Sequence, residues 1–347
     1  YYKFVMDKYG QKMSKSKGNG ISGTEALERW GSDKTRYYLL YKRPPEEQVN
    51  FDPDEFSSVD GFFNTLQNLF RYANAYLDAH PLKHPRMTVT TMPVEDQWVL
   101  HRLHTMIKSY VQSMNRYQMN EAVKALEDFV VRDFSKTYLK LIKDRTDERD
   151  EQLLVVFNEV LKKILLLLGP VSPFTAEQLY QEGSFEQKKE SLFFERFPEA
   201  DTYLIHEVEK RGIHEDFEIA QDIVQATLHA REKAQIGVRW PLPAIDLASS
   251  VPLAERMQSY EPLIRKLTNI HAIRYSLEGV SVDYVIKPNF QQIKEEFNDP
   301  GAVIKSINLN KYYITEDVKK GEQKGVYDDM DLDFNRHILK EIRLEGE

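Results

Sequence analysis

Residues 12–19 read Lys-Met-Ser-Lys-Ser-Lys-Gly-Asn. Lys12, Lys15 and Lys17 fall within six residues, separated by Ser14 and Ser16 and closed by Gly18. An ammonium on a flexible stem can follow negative charge as it moves during a reaction. The two hydroxyls can donate to phosphate oxygens or fix the loop, and Gly18 permits backbone geometry that a Cβ would forbid. The chemistry open to such a loop is electrostatic: it holds a polyphosphate and stabilises charge developing on phosphorus, without a protein nucleophile. Met13 is suited to packing the loop down. A Lys/Ser-rich stretch is also what an ordinary solvated surface loop looks like, so context has to decide.

Two further groups could meet a polyanion. Arg231, Lys233, Arg239 and Trp240 cluster in Ala230–Leu242, where guanidinium groups can hold phosphates and an indole can stack on an unpaired base. The competing arrangement has Trp240 packing a helix onto the next strand while Arg231 and Lys233 face solvent. Lys140, Lys143 and Arg145 follow a long helix, as RNA-facing cations or as a solvated face. Cys is absent, and the His pair at i, i+4, His80 and His84, encloses no carboxylate, so neither disulfides nor a structural zinc or other metal is expected. A reducing, cytoplasmic setting follows as an expectation.

The elements that must position these residues read as follows. Tyr1–Met6 is β-prone and enters the loop through the turn at Asp7–Gly10. Ser22 and Glu25 have capping-box spacing for a helix through Trp30, and Asp33 is placed to cap a second helix with Tyr37, Leu40 and Tyr41, stopped at Pro44-Pro45. From Asp54 to Tyr180 apolar residues recur at helical spacing, among them Phe62, Leu66, Phe70, Trp98, Leu103 and Ile107, with helices over 120–141 and 150–168. Pro81, Pro85 and Pro93 break the connections, Gly169–Pro173 interrupts the last helix, and Thr175–Tyr180 resumes it. This predicts an antiparallel helical bundle. After an irregular stretch over 181–205, a helix spans Asp216–Gln235, then a strand at Ala244–Leu247. Strand-like Ala272–Ser276, Val282–Lys287 and Tyr312–Thr315 alternate with helical Phe290–Phe297 and Ala302–Ile307 as a small α/β module. Tyr327–Phe334 is acidic and expected to be extended, a segment that could recruit a basic partner.

The net charge is −8, yet residues 1–43 carry ten Lys or Arg against four Asp or Glu, a local basic end on an acidic chain. The longest apolar run, Ile164–Leu168, falls far short of the roughly 20 residues a membrane span needs, so no membrane association is expected.

Residues 12–16, with the Lys-Gly-Asn extension, resemble the KMSKS signature of class I aminoacyl-tRNA synthetases residue for residue. A strand before the string and helices after it are the context that family has. The resemblance implies that Lys12 and Lys15 stabilise the transition state in which an amino-acid carboxylate attacks the α-phosphate of ATP. It further implies that Lys12, Met13, Ser14, Lys15 and Ser16 contact ATP, presented as its Mg2+ complex. The family's His-Ile-Gly-His motif and its editing domain are not in the sequence, so the chain is expected to be a carboxyl-terminal part, inactive alone.

Gly61–Asn68 with Arg71, Asp96–Leu100 and Pro170–Glu177 resemble the anticodon-binding bundle shared by isoleucyl, valyl, leucyl and methionyl enzymes. Ala230–Leu242, Asp283–Phe290 and Gly301–Lys305 are similar to isoleucyl enzymes of the archaeal and eukaryotic-cytoplasmic kind, implying tRNA(Ile), isoleucine and ATP as partners. A valyl-type fragment and a non-catalytic tRNA-binding paralogue are the alternatives. The expected fold is mostly α with α/β parts. Residues 1–53 would be the end of a Rossmann-type catalytic domain with stem-contact helices, 54–205 the anticodon-binding bundle, and 206–347 a helix plus a small α/β domain.

Overall fold

A computed structural model describes residues 5–44, 47–79, 91–147, 150–276, 282–297, 299–311, 313–314, 317, 324–327, 330–333 and 338–344. The expectations placed on Tyr1–Phe4, Pro45, Pro81, Pro85, Tyr312, Thr315, Asp328, Asp329 and Phe334 lie outside these residues. The chain divides into two units: Tyr1–Trp240 with Ser259–Asn269, and Pro241–Gln258 with Ile270–Glu347. The boundaries expected at 53/54 and 205/206 both fall inside the first unit.

In the first unit β1 (Val5–Met6) pairs in parallel with β2 (Val49–Asn50). α1 (Gly23–Trp30) starts where the sequence places it, with the Ser22 hydroxyl accepting the Glu25 amide at 3.1 Å. α2 (Ser32–Lys42) has no side-chain cap. Asp33, expected to supply one, is buried, and its carboxylate instead accepts the amide of Thr175 at 2.6 Å in the first turn of α9 (below). Arg36 on the next turn bonds both Asp33 and the Val171 carbonyl. The break at Gly169–Pro173 is thus held by a carboxylate about 140 residues upstream, a cap no local spacing reveals.

The bundle consists of α3 (Phe56–Ala79), α4 (Val94–Asn115), α5 (Met119–Asp128), a π-helix over Phe129–Tyr138, α6 (Leu139–Leu141), α7 (Lys143–Asp147), α8 (Glu151–Leu168) and α9 (Pro173–Glu182). Phe62, Leu66, Phe70, Trp98, Leu103, Ile107, Phe157 and Ile164 are buried, and each fully buried side chain contributes about 1.5–3 kcal/mol. A continuous α-helix is expected over 120–141, but the middle is π. At 3.6 residues per turn Phe129 and Tyr138 would face opposite sides. The wider i→i+5 winding puts Phe129, Phe134 and Tyr138 in one stacked, buried row, and the side-chain hydroxyl of Thr137 donates to the Arg132 carbonyl at 2.8 Å.

α10 (Thr202–Lys210) and α11 (Ile213–Lys233) close the bundle. The Asp201 amide, at the start of α10, donates to His104 Nδ1 at 2.9 Å, leaving Nε2 facing Glu159 at 3.7 Å. Burial opposes charge on Glu159, but His104 and the paired Lys163 overcome it and push its pKa down to about 2. Because the folded value lies below the unfolded one, this carboxylate stabilises the fold above pH ~4.5, and the stabilisation is lost as pH falls toward 2. Glu159→Gln is expected to flatten the acid limb of melting temperature against pH between those values; an unchanged limb would discard the assignment. No described helix is long and apolar enough to cross a membrane.

In the second unit β3 (Leu242–Ala248) pairs in parallel with β4 (Ile270–Ser276), from Leu242↔Ile270 to Ala248↔Ser276. Between these strands in sequence lie α12 (Ala254–Met257) and α13 (Glu261–Thr268), the latter belonging to the first unit. β5 (Val282–Pro288) is followed by α14 (Phe290–Glu296) and α15 (Pro300–Leu309), then by the hairpin β6 (Lys324–Tyr327) and β7 (Met330–Asp333). β8 (Ile338–Leu344) returns antiparallel to β5. Ile293, Val303, Ile307, Ile314 and Leu332 form the core of this part. One expectation is corrected. Residues 313–314 are helical rather than strand. The acidic segment is extended over its described part, as expected: Met330–Asp333 is the second strand of the hairpin, and its Leu332 is buried.

Candidate phosphate loop and RNA-facing surface

The loop leaves β1 through a turn closed by Gly10, at φ +75°, whose amide donates to the Asp7 carbonyl at 2.9 Å. Lys12 bridges back to Met6 as an isolated antiparallel pair, which folds the start of the signature string against the strand. Met13 and Ser14 are half-buried, and a Cβ at Gly20 would lie 3.6 Å from that of Met13. Lys15–Lys17 forms one 3-10 turn. It is closed by the Lys17 amide on the Ser14 carbonyl and hydroxyl, with the Ser14 and Ser16 hydroxyls 3.2 Å apart. Gly18, at φ +64°, ends it. Lys12, Ser16 and Lys17 are exposed; the Lys15 side chain lies outside the described residues.

Two residues that sequence reasoning passed over organise this loop. Asp7, nearly buried, accepts the amides of Tyr9 and Gln11 on Oδ1 and the Asn19 Nδ2 on Oδ2. The Gln11 hydrogen bond chiefly holds the carboxyl below its ordinary range, with Asn19 and Tyr9 adding to it against a burial cost. Asn19 in turn accepts the Ser14 amide. Its position in the string was visible, but nothing local marks Asp7 as its partner.

At the end of α11 the predicted patch separates into two layers. Arg231 is not on the surface: it is 3% exposed, and its guanidinium donates to the carbonyls of Asn269 at 2.9 Å, Trp240 at 3.0 Å and Gly237 at 3.4 Å. The Trp240 and Asn269 carbonyls take their donors from one planar fork, while Gly237 also accepts the Trp240 amide at 3.0 Å. Lys233, Arg239 and Trp240 remain outside. Trp240 is 60% exposed, with the Arg239 guanidinium 5.5 Å from its ring centre. Asn269 also donates to the Val238 carbonyl at 2.8 Å, so the turn beneath the indole is pinned from both sides.

Lys140 and Lys143 are exposed, whereas Arg145 points inward. It meets Asp96 through two bonds of 2.7 and 2.8 Å, Asp150 at 2.7 Å and Glu95 at 3.1 Å. Tyr138 donates its hydroxyl to Asp96 at 2.7 Å, and burial first, then the Asp96 charge, drives the phenol well above its usual pKa. Arg145 therefore has no face to offer a phosphate. Nearby in the bundle, Gln67, Arg71 and Asn74 of α3 and Gln178 and Glu182 of α9 line a polar cleft of about 530 Å³. Among the described residues no group of three or more His, Cys, Asp or Glu is disposed to hold a metal.

A cationic loop on a parallel strand pair, followed by a helical bundle, is what two family descriptions match. Residues 3–70 match tRNA synthetases class I (M), and residues 96–246 match the anticodon-binding domain of tRNA ligase. The chain belongs to the class I tRNA synthetases. Within that class its curated relatives include the isoleucine–tRNA ligase of Methanocaldococcus jannaschii, 28% identical over 96% of this chain and 33% of its own length. That of Archaeoglobus fulgidus is 30% identical over 98% and 33%, and that of Cytophaga hutchinsonii 31% over 87% and 28%. The chain spans about a third of the length of these relatives.

Proposed function

We propose that this chain supplies the phosphate loop and the tRNA-holding part of an isoleucine–tRNA ligase. Such an enzyme acts in the cytoplasm, forms isoleucyl-adenylate from isoleucine and ATP·Mg2+, and transfers isoleucine to tRNA(Ile). The observation that carries the reading is the ordered Lys12–Asn19 loop, a string built for a polyphosphate on a chain whose curated relatives bear that name. In this reading Lys12 and Lys15 meet the charge that develops at the α-phosphate, and Ser14 and Ser16 set the loop's shape. Lys233, Arg239 and Trp240 face tRNA, with Lys140 and Lys143 as outlying cations. A tRNA binder without catalysis would have no physical use for the loop, which disfavours the paralogue alternative; the isoleucine-named relatives disfavour the valyl one.

The test is binding of the chain to tRNA(Ile), to the same tRNA with an altered anticodon, and to tRNA(Val) across a salt series. Preference for tRNA(Ile) that collapses on anticodon change supports the reading. Equal, steeply salt-dependent binding to all three would reduce these residues to electrostatic docking. In the same assay Trp240→Ala is expected to weaken tRNA(Ile) binding by about 1–3 kcal/mol with little change in salt slope, as loss of one stacked base does. Arg239→Ala should lower the slope by about one. Trp240→Ala with undiminished affinity would remove the indole from the interface.

A further inference from the structure

Asn19 makes three contacts with one side chain. Its Oδ1 accepts the Ser14 amide at 3.0 Å, and its Nδ2 donates to Asp7 Oδ2 at 2.8 Å and to the Lys12 carbonyl at 3.4 Å. Lys12 and Ser14 flank Met13, so the backbone on both sides of that residue is set by a single amide. Asp7 completes the arrangement from the strand side, holding the Tyr9 and Gln11 amides at 3.0 and 2.8 Å. Its charge is thereby taken up by three N–H donors instead of being presented to an incoming anion.

We propose that Asp7 and Asn19 are positioning residues for polyphosphate binding: their hydrogen-bonded pair holds the Lys12–Lys17 backbone in its receptive shape before the ligand arrives. This rests on the phosphate-binding reading of the loop and adds residues that touch no substrate. The reason the pair matters is entropic. Fixing a free residue costs roughly 1–2 kcal/mol, so a loop already ordered over several residues binds more tightly than one ordered by its ligand. Each member is chemically specific. Asp7→Asn sets one amide NH2 against another, and Asn19→Asp sets two carboxylates against each other. Asp7→Asn/Asn19→Asp together recreate the pair with donor and acceptor exchanged. The oxygens that take the Tyr9, Gln11 and Ser14 amides are kept, and only the weak 3.4 Å contact to Lys12 is lost.

The experiment uses the 347-residue chain and inorganic tripolyphosphate as the probe, with amide hydrogen exchange as the second readout and α4 amides as the control for folding. Each single substitution should deprotect the Gln11 and Ser14 amides and weaken tripolyphosphate about tenfold, the factor one lost hydrogen bond of ~1.4 kcal/mol gives. The double substitution should recover both, a coupling that independent structural damage would not produce. Lys15→Ala should weaken the probe while leaving exchange unchanged. If Lys15→Ala weakens binding but the Asp7 and Asn19 substitutions do not, or if the double is no better than the worse single, the positioning role is overturned and the phosphate reading stands. If Lys15→Ala has no effect on tripolyphosphate, the phosphate reading itself fails, and the positioning role falls with it even where exchange is restored.

Discussion

Arg145→Met is expected to lower the stability of the first unit by about 3–5 kcal/mol, the cost of leaving a buried carboxylate without its partner. Asp96 is 0% exposed, and its two oxygens are served by two Arg145 bonds and the Tyr138 hydroxyl. Removing the guanidinium would leave one donor for a full charge in a site water does not reach. Glu95, which also meets Arg145, would face the Asp96 charge uncompensated, and Asp150 would lose its guanidinium donor. Lys143→Ala, on the exposed side of the same short helix, should stay within about ±0.5 kcal/mol. Urea unfolding of both variants separates the two cases; equal midpoints would mean that the inward cluster contributes nothing beyond surface charge. The result would also bear on tRNA binding, because Arg145→Met should weaken it only through unfolding.

The second large effect concerns chemistry. In a ligase that carries this chain together with the rest of its catalytic domain, Lys15→Ala is expected to slow isoleucyl-adenylate formation by about 10²–10³, the scale for losing one preorganised group that meets developing charge. The loss should fall on the rate of adenylation more than on isoleucine affinity, since charge at the α-phosphate grows only toward the transition state. Isoleucine-dependent pyrophosphate exchange measures it, with tRNA(Ile) affinity as a control expected to stay constant. A loss below about threefold would take Lys15 out of the machinery.

The parts of the fold that were legible in the sequence are those set by local rules. Ser22 and Glu25 announce α1, the Pro173 step announces α9, and the apolar spacing of Phe62, Leu66 and Phe70 gives the buried face of α3. The Lys12–Asn19 string stands out because its residue types are unusual in combination, and a turn at that string was legible from Gly18. What escaped was decided by partners far along the chain. Asp33 looked like a cap for its own helix but caps α9, and Arg145 and Arg231 looked like surface cations because nothing adjacent in sequence shows what they serve. Charge is a poor guide to exposure where a carboxylate or a set of freed carbonyls waits inside. Asp7 was invisible for the same reason, twelve residues from its amide partner.

Arg231 also has a bearing on how β3 and β4 come to lie beside each other. Its guanidinium grips the carbonyls of Trp240 and Asn269, two points 29 positions apart in the sequence, and the first pair of the parallel ladder, Leu242 with Ile270, follows immediately. One side chain at the end of a helix thereby holds together the two stretches of chain that run on into the strands and gives them a common starting line, a task that a hairpin turn performs for antiparallel strands and that parallel ones ordinarily leave to their crossover. Chain added between Ala248 and Glu261 leaves that starting line where it is. A single residue added between Trp240 and Leu242 moves it, and with it the face on which every side chain of β3 appears.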